Sequence, residues 1–134
     1  MSDATTLLFA NDAFYVAFAA GDLAAMDDLW SRRAPVTCLH PGWTPLFGRP
    51  AVLKSWRAIL ESGSLPKVRC ENASAHIMGD VGYVICNETM PEGRLVATNL
   101  FHREDGRWRL VVHHAGPTSG PAEAPAAPAP AALQ

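Results

Sequence analysis

Residues 98–114, TNLFHREDGRWRLVVHH, decide the fold, because they contain two strand-like runs joined by Asp105–Gly106. Asp-Gly pairs supply the positive φ angles that a two-residue hairpin turn requires. With such a turn, Phe101 lies opposite Leu110 and Asn99 lies opposite Val112. The sequence therefore predicts an antiparallel hairpin in this part of the chain.

The register of this hairpin also predicts which side chains point together, because cross-strand partners share one face of a sheet. One face is predicted to carry Trp108, Leu110, Val112 and His114 together with Phe101 and Asn99. The other face is predicted to carry Arg109, Val111 and His113 together with His102, Leu100 and Thr98. A one-residue bulge would exchange part of this assignment. Since both faces contain apolar residues, we expect one to pack on helices and the other to meet a second subunit.

Helical signals fill the first part of the chain and strand signals the rest. Apolar residues recur at helical spacing from Thr5 to Ala20, Gly21 can end that helix, and Asp22 can cap a short second one. A strand is predicted at 36–40 and a third helix at 50–62. Runs at 68–78, 81–90, 94–104 and 107–115, separated by turn residues, predict four more strands. The expected fold class is α+β, with the N-terminal helices packed on a curved antiparallel sheet.

Composition narrows the functional classes. The chain has 134 residues, 49% of them hydrophobic, and a net charge of −2, so neither nucleic acid nor an acidic membrane is an expected partner. No apolar stretch is long enough to cross a bilayer, and the N-terminus lacks the features of a signal peptide. The three cysteines are far apart, which is typical of reduced thiols. We therefore expect a cytoplasmic protein.

The two ends of the chain differ in composition. Residues 117–134 contain five prolines, seven alanines and a single charged residue, Glu123. Such a segment buries too little apolar surface to offset the entropy lost on ordering. We expect a single domain at 1–116 followed by a disordered Pro/Ala-rich tail at 117–134.

Two stretches in this layout resemble a known superfamily. The stretch 36–43 (VTCLHPGW), followed by Gly48–Arg49 and Ser55–Trp56, is similar to a bacterial SnoaL-like group. The hairpin stretch 98–114 resembles the last hairpin of that group and also the association domain of calcium/calmodulin-dependent protein kinase. Over residues 5–117 the chain resembles the nuclear transport factor 2-like superfamily, and within it the SnoaL-like branch.

The resemblance implies a cone-shaped α+β barrel, a pocket between helices and sheet, and a homodimer built on the outer sheet face. It does not select an activity, because the superfamily includes isomerases, cyclases, dehydratases, epoxide hydrolases and assembly modules.

Three titratable residues are candidates for catalysis. His40 and His114 could each act as a general base, since an imidazole titrates near neutral pH, or could be hydrogen-bonded core histidines. Glu88 lies inside a predicted strand and resembles an acid often found there in the family. In a simple hairpin Glu88 would face Glu71, which would raise one of the two pKa values. The alternative, which we favour, is that a bulge separates them or that one of the two lies in solvent.

Aromatic and polar side chains could line the predicted pocket. An aromatic pocket with a few polar groups suits a small apolar molecule, although core packing explains many of the same residues. Cys38 and His40 are the only pair with metal-ligand spacing, and further ligands are not visible, so we expect no metal. Motifs for dinucleotides, phosphoryl transfer and zinc peptidases are absent, and no cofactor is expected. The candidate ligand-binding residues are Tyr15, Trp30, His40, Trp43, Trp56, Tyr83, Asn99, Phe101 and His114.

Three functions remain open. The first is a SnoaL-like domain that binds a small, largely apolar molecule in its internal pocket. The second is an isomerase or cyclase, in which His114, His40 or Glu88 moves a proton next to a carbonyl while Asn99 or Tyr15 stabilises the oxyanion. The third is a homo-oligomerisation module with a vestigial pocket. An open pocket holding a carboxylate of raised pKa would favour the second, and a filled core would favour the third.

Overall fold

The computed structural model describes residues 1–120 and contains three helices and six strands in those residues. The helices are α1 (Asp3–Ala20), α2 (Leu23–Leu29) and α3 (Arg49–Leu60). The strands are β1 (Thr37–Leu39), β2 (Leu46–Phe47), β3 (Arg69–Met78), β4 (Val81–Met90), β5 (Gly93–Glu104) and β6 (Arg107–Pro117). The predicted α+β layout, with helices first and a strand meander after them, is confirmed.

The strands form one curved sheet in the order β2-β1-β6-β5-β4-β3. All neighbouring pairs are antiparallel except β1 and β6, which are parallel, so the sheet is mixed rather than wholly antiparallel. Strand β2 lies in a segment for which only a loop was predicted. The sheet does not close, since β2 and β3 remain as edges.

Capping residues start and stop the helices as the sequence indicates. The Ser2 side chain accepts a hydrogen bond from the Thr5 backbone N–H at 3.2 Å, which satisfies one unpaired donor of the first turn of α1. Gly21 ends α1 in the left-handed conformation with φ 64°. Asp22 then caps α2 by accepting from the Ala25 N–H at 3.0 Å.

Helix α1 lies directly on the concave face of the sheet. At Gly82 of β4, an added Cβ would lie 2.7 Å from the Leu7 side chain of α1, so only glycine allows this approach. Further along α1, Phe14 packs edge-on against Trp56 of α3 with ring centroids 5.4 Å apart. The core therefore lies between α1, α3 and the concave face.

The last hairpin follows the predicted register only as far as Leu110. Asp105 and Gly106 have φ angles of 52° and 77°, and Phe101 pairs with Leu110 as predicted. Leu100 then pairs with Val112, so Val111 is an extra residue, a β-bulge, and every later position changes face.

The bulge corrects the predicted position of both histidines in β6. His113 pairs with Asn99 and is buried inside, whereas His114 pairs with Thr98 and is exposed. The predicted placement of His114 on the inner face is therefore wrong. The cause is the single inserted residue, which shifts the two-residue periodicity of the strand.

A second bulge separates Glu71 from Glu88. Between Glu71 and Ser74 the register of β3 shifts, so Glu71 pairs with Asn87 and Cys70 pairs with Glu88. The favoured expectation, that a bulge keeps the two carboxylates apart, is confirmed. Glu88 consequently shares the concave face with Cys70 rather than with another acid.

Part of the predicted tail lies within the described residues. Pro117 is the last residue of β6 and pairs with Leu95, and the Thr118 N–H donates to the Arg94 carbonyl at 3.3 Å. The rest of the predicted tail, residues 121–134, lies outside the described residues. None of the helices found in residues 1–120 combines the length and the apolar character that a membrane span requires.

Candidate functional site

Five buried polar side chains meet on the concave face of the sheet, and we refer to them as the polar cluster. Helix α1 supplies Asn11 and Tyr15, β4 supplies Glu88, β5 supplies Asn99, and β6 supplies His113. The Tyr15 hydroxyl donates to Glu88 Oε2 at 2.7 Å, and Asn99 Nδ2 donates to Asn11 Oδ1 at 2.9 Å and to Tyr15 at 3.1 Å. His113 Nδ1 lies 2.6 Å from Asn99 Oδ1. The cluster is thus one connected hydrogen-bond network.

The network determines the tautomer of His113. Asn99 Nδ2 donates to the Asn11 amide oxygen and to the Tyr15 hydroxyl and lies 4.0 Å from Cys86 Sγ, so its amide oxygen faces His113. An amide oxygen only accepts, and the proton of the imidazole therefore lies on Nδ1. In the neutral ring, Nε2 is then left with its lone pair, and it lies 3.8 Å from Glu88 Oε2.

Burial shifts the pKa values of His113 and Glu88 in the directions that favour the uncharged form of each side chain. Burial lowers the pKa of His113 to about 3, with smaller contributions from the charges of His40 and His114. Burial also raises the pKa of Glu88, and the hydrogen bond from Tyr15 offsets only part of that rise. The 3.8 Å contact between Glu88 and His113 is therefore not that of a strong ion pair.

Tyr15, which contacts the Glu88 carboxyl, keeps its hydroxyl proton and acts as a hydrogen-bond donor. Its pKa is raised well above the usual value by burial and then by the nearby Glu88 carboxyl. A phenol of this kind stays protonated and can polarise an acceptor. In the described arrangement its single proton is directed at Glu88, so a ligand oxygen would have to replace that carboxyl as the acceptor.

A second group of side chains surrounds His40. His40 Nε2 lies 2.9 Å from Ser55 Oγ and 3.5 Å from Cys38 Sγ. Burial lowers the pKa of His40 to about 4 and raises that of Cys38 to about 12. A protonated thiol is a poor nucleophile, so these residues do not form an activated cysteine site.

Aromatic rings separate the polar cluster from solvent. Trp56 lies 4.9 Å from His40 and 5.8 Å from His113, measured between ring centroids, and both Trp56 and Phe101 are fully buried. The rings thus fill much of the space in which the sequence predicted a pocket. Trp43 is half exposed and lies 4.8 Å from His40, where its loop covers the imidazole.

Several predicted site residues lie away from the cluster. Tyr83 lies on the outer face, stacked on His76 at 4.7 Å, because inward positions of β4 alternate from Gly82 to Glu88. Trp30 is buried after α2, where its backbone bridges to Leu110. His114 lies away from the polar cluster as well, because it is exposed.

Sequence reasoning missed Asn11 and placed His113 on the wrong face. Asn11 lies in the apolar stripe of α1, one turn before Tyr15, and a polar residue at such a position signals an interior hydrogen-bond partner. For His113 no signal was available, since the bulge that turns it inward is not visible in the pattern. Within residues 1–120, no three side chains among His, Cys, Asp and Glu are arranged to hold a metal ion.

The fold and this interior define the class of the protein as an NTF2-like α+β domain. The chain belongs to the SnoaL-like domain family, whose sequence model matches residues 8–119. It is 30% identical to a candidate dehydratase of the NTF2-like family from Streptomyces avermitilis, with a TM-score of 0.80 over 88% of this chain and 97% of that one.

Two further relatives carry different names. A candidate calcium/calmodulin-dependent protein kinase type II association domain from Thiobacillus denitrificans is 34% identical, with a TM-score of 0.76 over 85% of this chain and 96% of that one. The F-box protein SKIP8 of Arabidopsis thaliana is 26% identical over 110 residues, which are 81% of this chain. The match spans 48% of the length of that curated relative.

Proposed function

We propose that the protein binds a small, largely apolar molecule on the concave face of the sheet, with the polar cluster providing the polar contacts. The observation that carries this proposal is the convergence of five buried polar side chains in one network. Each of these buried polar groups gives up contact with water, and its hydrogen bonds only offset that cost. Perturbed titratable groups on a concave surface are typical of functional sites.

Entry of a ligand requires movement of the aromatic rings. The loop at 40–46 offers the shortest route, because Trp43 is 50% exposed while His40 beneath it is buried. The Trp43 ring lies 4.8 Å from the His40 ring, so movement of this loop would uncover the imidazole. We infer that a ligand displaces the Trp43 loop and then contacts His40, Trp56 and His113.

A thermal-shift screen tests binding with a built-in control. A set of small apolar metabolites is added to the wild type, to His113→Asn and to His114→Asn. A ligand specific for the folded state raises the unfolding midpoint of the wild type and of His114→Asn, and raises that of His113→Asn less. Equal shifts in both variants, or no shift with any compound, would count against an interior site.

Proton transfer next to a carbonyl is a second candidate function of the same site. It is favoured by the raised pKa of Glu88 and by the Tyr15 proton directed at it. In this scheme the Glu88 carboxylate removes the proton, and Tyr15 or Asn99 donates to the carbonyl oxygen. The reaction would be supported if solvent deuterium enters the α-carbon of a bound ketone, and if Glu88→Gln loses this exchange while it still binds the ketone. Exchange that Glu88→Gln leaves unchanged would exclude it.

A third candidate function, homo-oligomerisation through the outer sheet face, is supported by the filled interior and by the name of one similar structure, an association domain. Leu100 and Val112 pair on that face and are only partly buried. In sedimentation we expect the mass of a dimer, which is twice the 14.4 kDa of one chain. Leu100→Glu should give the monomer, and Val16→Glu, at an exposed position of α1, should not. Val111, which the sequence placed on the outer face, is buried at the bulge, so a charge there would destabilise the fold.

A further inference from the structure

Three polar side chains form a row across β3, β4 and β5, near the end of β4. Arg69 of β3 pairs with Thr89 of β4, and Thr89 pairs with Arg94 of β5. Cross-strand partners share a face, so the Thr89 side chain and the two arginine side chains project from one face of the sheet. Glu88 precedes Thr89 on the same strand and points to the opposite face. The row is therefore separate from the polar cluster.

Two donors in this row are buried without a partner. Thr89 Oγ1 and Arg94 Nε are both inaccessible to solvent, and neither has a hydrogen-bond partner among residues 1–120. A buried polar group that makes no hydrogen bond costs about 1–3 kcal/mol, so most are paired in native proteins. Arg94 Nη2 already donates to the Gly120 carbonyl. The Thr89 hydroxyl and Arg94 Nε can donate to an anion that lies against this face of the two paired strands.

Clefts on either side of Thr89 give room for a ligand. One, of about 330 Å³, is lined by Thr89 and Arg94 together with Glu71, Gly93, Thr118 and Gly120. The other, of about 600 Å³, has mostly apolar walls from the end of α1, the segment before β3 and the end of β4. Its lining includes Leu65, Lys67, Val68, Arg69, Thr89 and Met90.

The charges around the row are mainly positive, although the whole chain has a net charge of −2. Among residues 1–120, Lys67, Arg69 and Arg94 line the two clefts, and Glu71 is the one acid in either lining. Arg69 Nη2 lies 3.9 Å from Glu71 Oε1, and the Arg69 side chain is largely exposed, so this pair is weak and leaves the guanidinium available.

We propose that this end of the sheet binds an organic carboxylate with an apolar body. The carboxylate accepts from the Thr89 hydroxyl and the Arg94 guanidinium, with Arg69 adding its charge, while the apolar body lies in the larger cleft against Leu65, Val68 and Met90. Charge-assisted hydrogen bonds of this kind are the strong ones, and the apolar walls select against small inorganic anions.

Octanoate is the probe, and octanol and acetate test the two halves of the site separately. Octanoate titrated into the ¹⁵N-labelled wild type should move the backbone resonances of Val68, Thr89 and Arg94. Octanol and acetate should each bind at least about tenfold more weakly, since each lacks one set of contacts. Equal affinity for octanoate and octanol, or no binding of octanoate, would overturn the proposal.

Substitutions separate binding from folding. Arg94→Gln should weaken octanoate at least about tenfold. Thr89→Val should weaken it several-fold while the unfolding temperature stays equal or rises, because the substitution removes an unpaired buried hydroxyl. Arg57→Gln, at an exposed position of α3, is the matched control and should bind as the wild type does. Octanoate binding that survives in both Arg94→Gln and Thr89→Val would refute the assigned site.

Discussion

The protein should lose stability in acid, and replacing His113 with asparagine should make that loss smaller. Burial lowers the pKa of His113 from its ordinary 6.5 to about 3, so the unfolded chain binds a proton below pH 6.5 that the folded chain refuses until about pH 3. Across that window the free energy of unfolding falls by about 1.4 kcal/mol per pH unit. At pH 5 the loss from this one residue is therefore about 2 kcal/mol relative to pH 7.

Two other buried groups titrate in the same experiment. His40, whose pKa is lowered to about 4, destabilises the folded protein in acid in the same sense as His113, by about 2 kcal/mol at pH 5. Glu88 acts in the opposite sense, because a raised pKa lets the folded state take up a proton before the unfolded state does. His113→Asn retains both groups, so their effects cancel when the variant is compared with the wild type.

Urea unfolding at pH 7 and pH 5, followed by tryptophan fluorescence, measures the difference. The wild type should lose about 2 kcal/mol more than His113→Asn between the two pH values. The asparagine Nδ2 can still donate to Asn99, although the smaller side chain lowers stability equally at both pH values. His114→Asn is the control, because His114 is exposed, and it should lose as much as the wild type. An equal loss in His113→Asn and His114→Asn would refute the buried, neutral state of His113.

Two further substitutions test the packing around the polar cluster, both by urea unfolding at neutral pH. Tyr15→Phe removes the hydroxyl that donates to the buried Glu88 and should destabilise the protein by about 1–3 kcal/mol. Tyr83→Phe, on the outer face, is the control and should have little effect. Similar losses in the two variants would contradict the hydrogen-bond network. Gly82→Ala places a Cβ 2.7 Å from a buried leucine of α1 and should lower the free energy of unfolding by about 1–3 kcal/mol. Gly116→Ala, with open space around its Cβ, is the control and should lower it less. Equal losses would show that α1 does not lie this close to β4.

Local signals predicted the elements because each depends on a few neighbouring residues. The positive φ angles at Asp105–Gly106, the left-handed Gly21 and the Asp22 cap all lie where the sequence indicates. Helix and strand boundaries agree to within a few residues for the same reason. The exception is the two-residue strand β2, which pairs with the three-residue strand β1.

The site was predicted less well, because it depends on the faces of strands. Val111 and Val112 are both apolar, so the alternation of β6 reads equally well with or without a bulge. Asn99, the hydrogen-bond partner that accompanies the inward turn of His113, lies 14 residues away along the chain. The predicted interior positions of Asn99 and Phe101 agree with the structure because the extra residue lies in β6 and β5 keeps its alternation. Tyr15 and Trp56 agree because they lie on helices, where a strand bulge has no effect.

By itself the sequence determined the class of fold, the order of its elements and the family, since turns, caps and periodicity act over short distances along the chain. Only the tertiary structure decided which of two adjacent histidines is interior, because one extra residue in a strand reverses every face beyond it. The same applies to the charge states of Glu88 and His113. Their pKa values depend on burial by α1 and on the partner atoms that the fold brings to them, not on their neighbours in the chain.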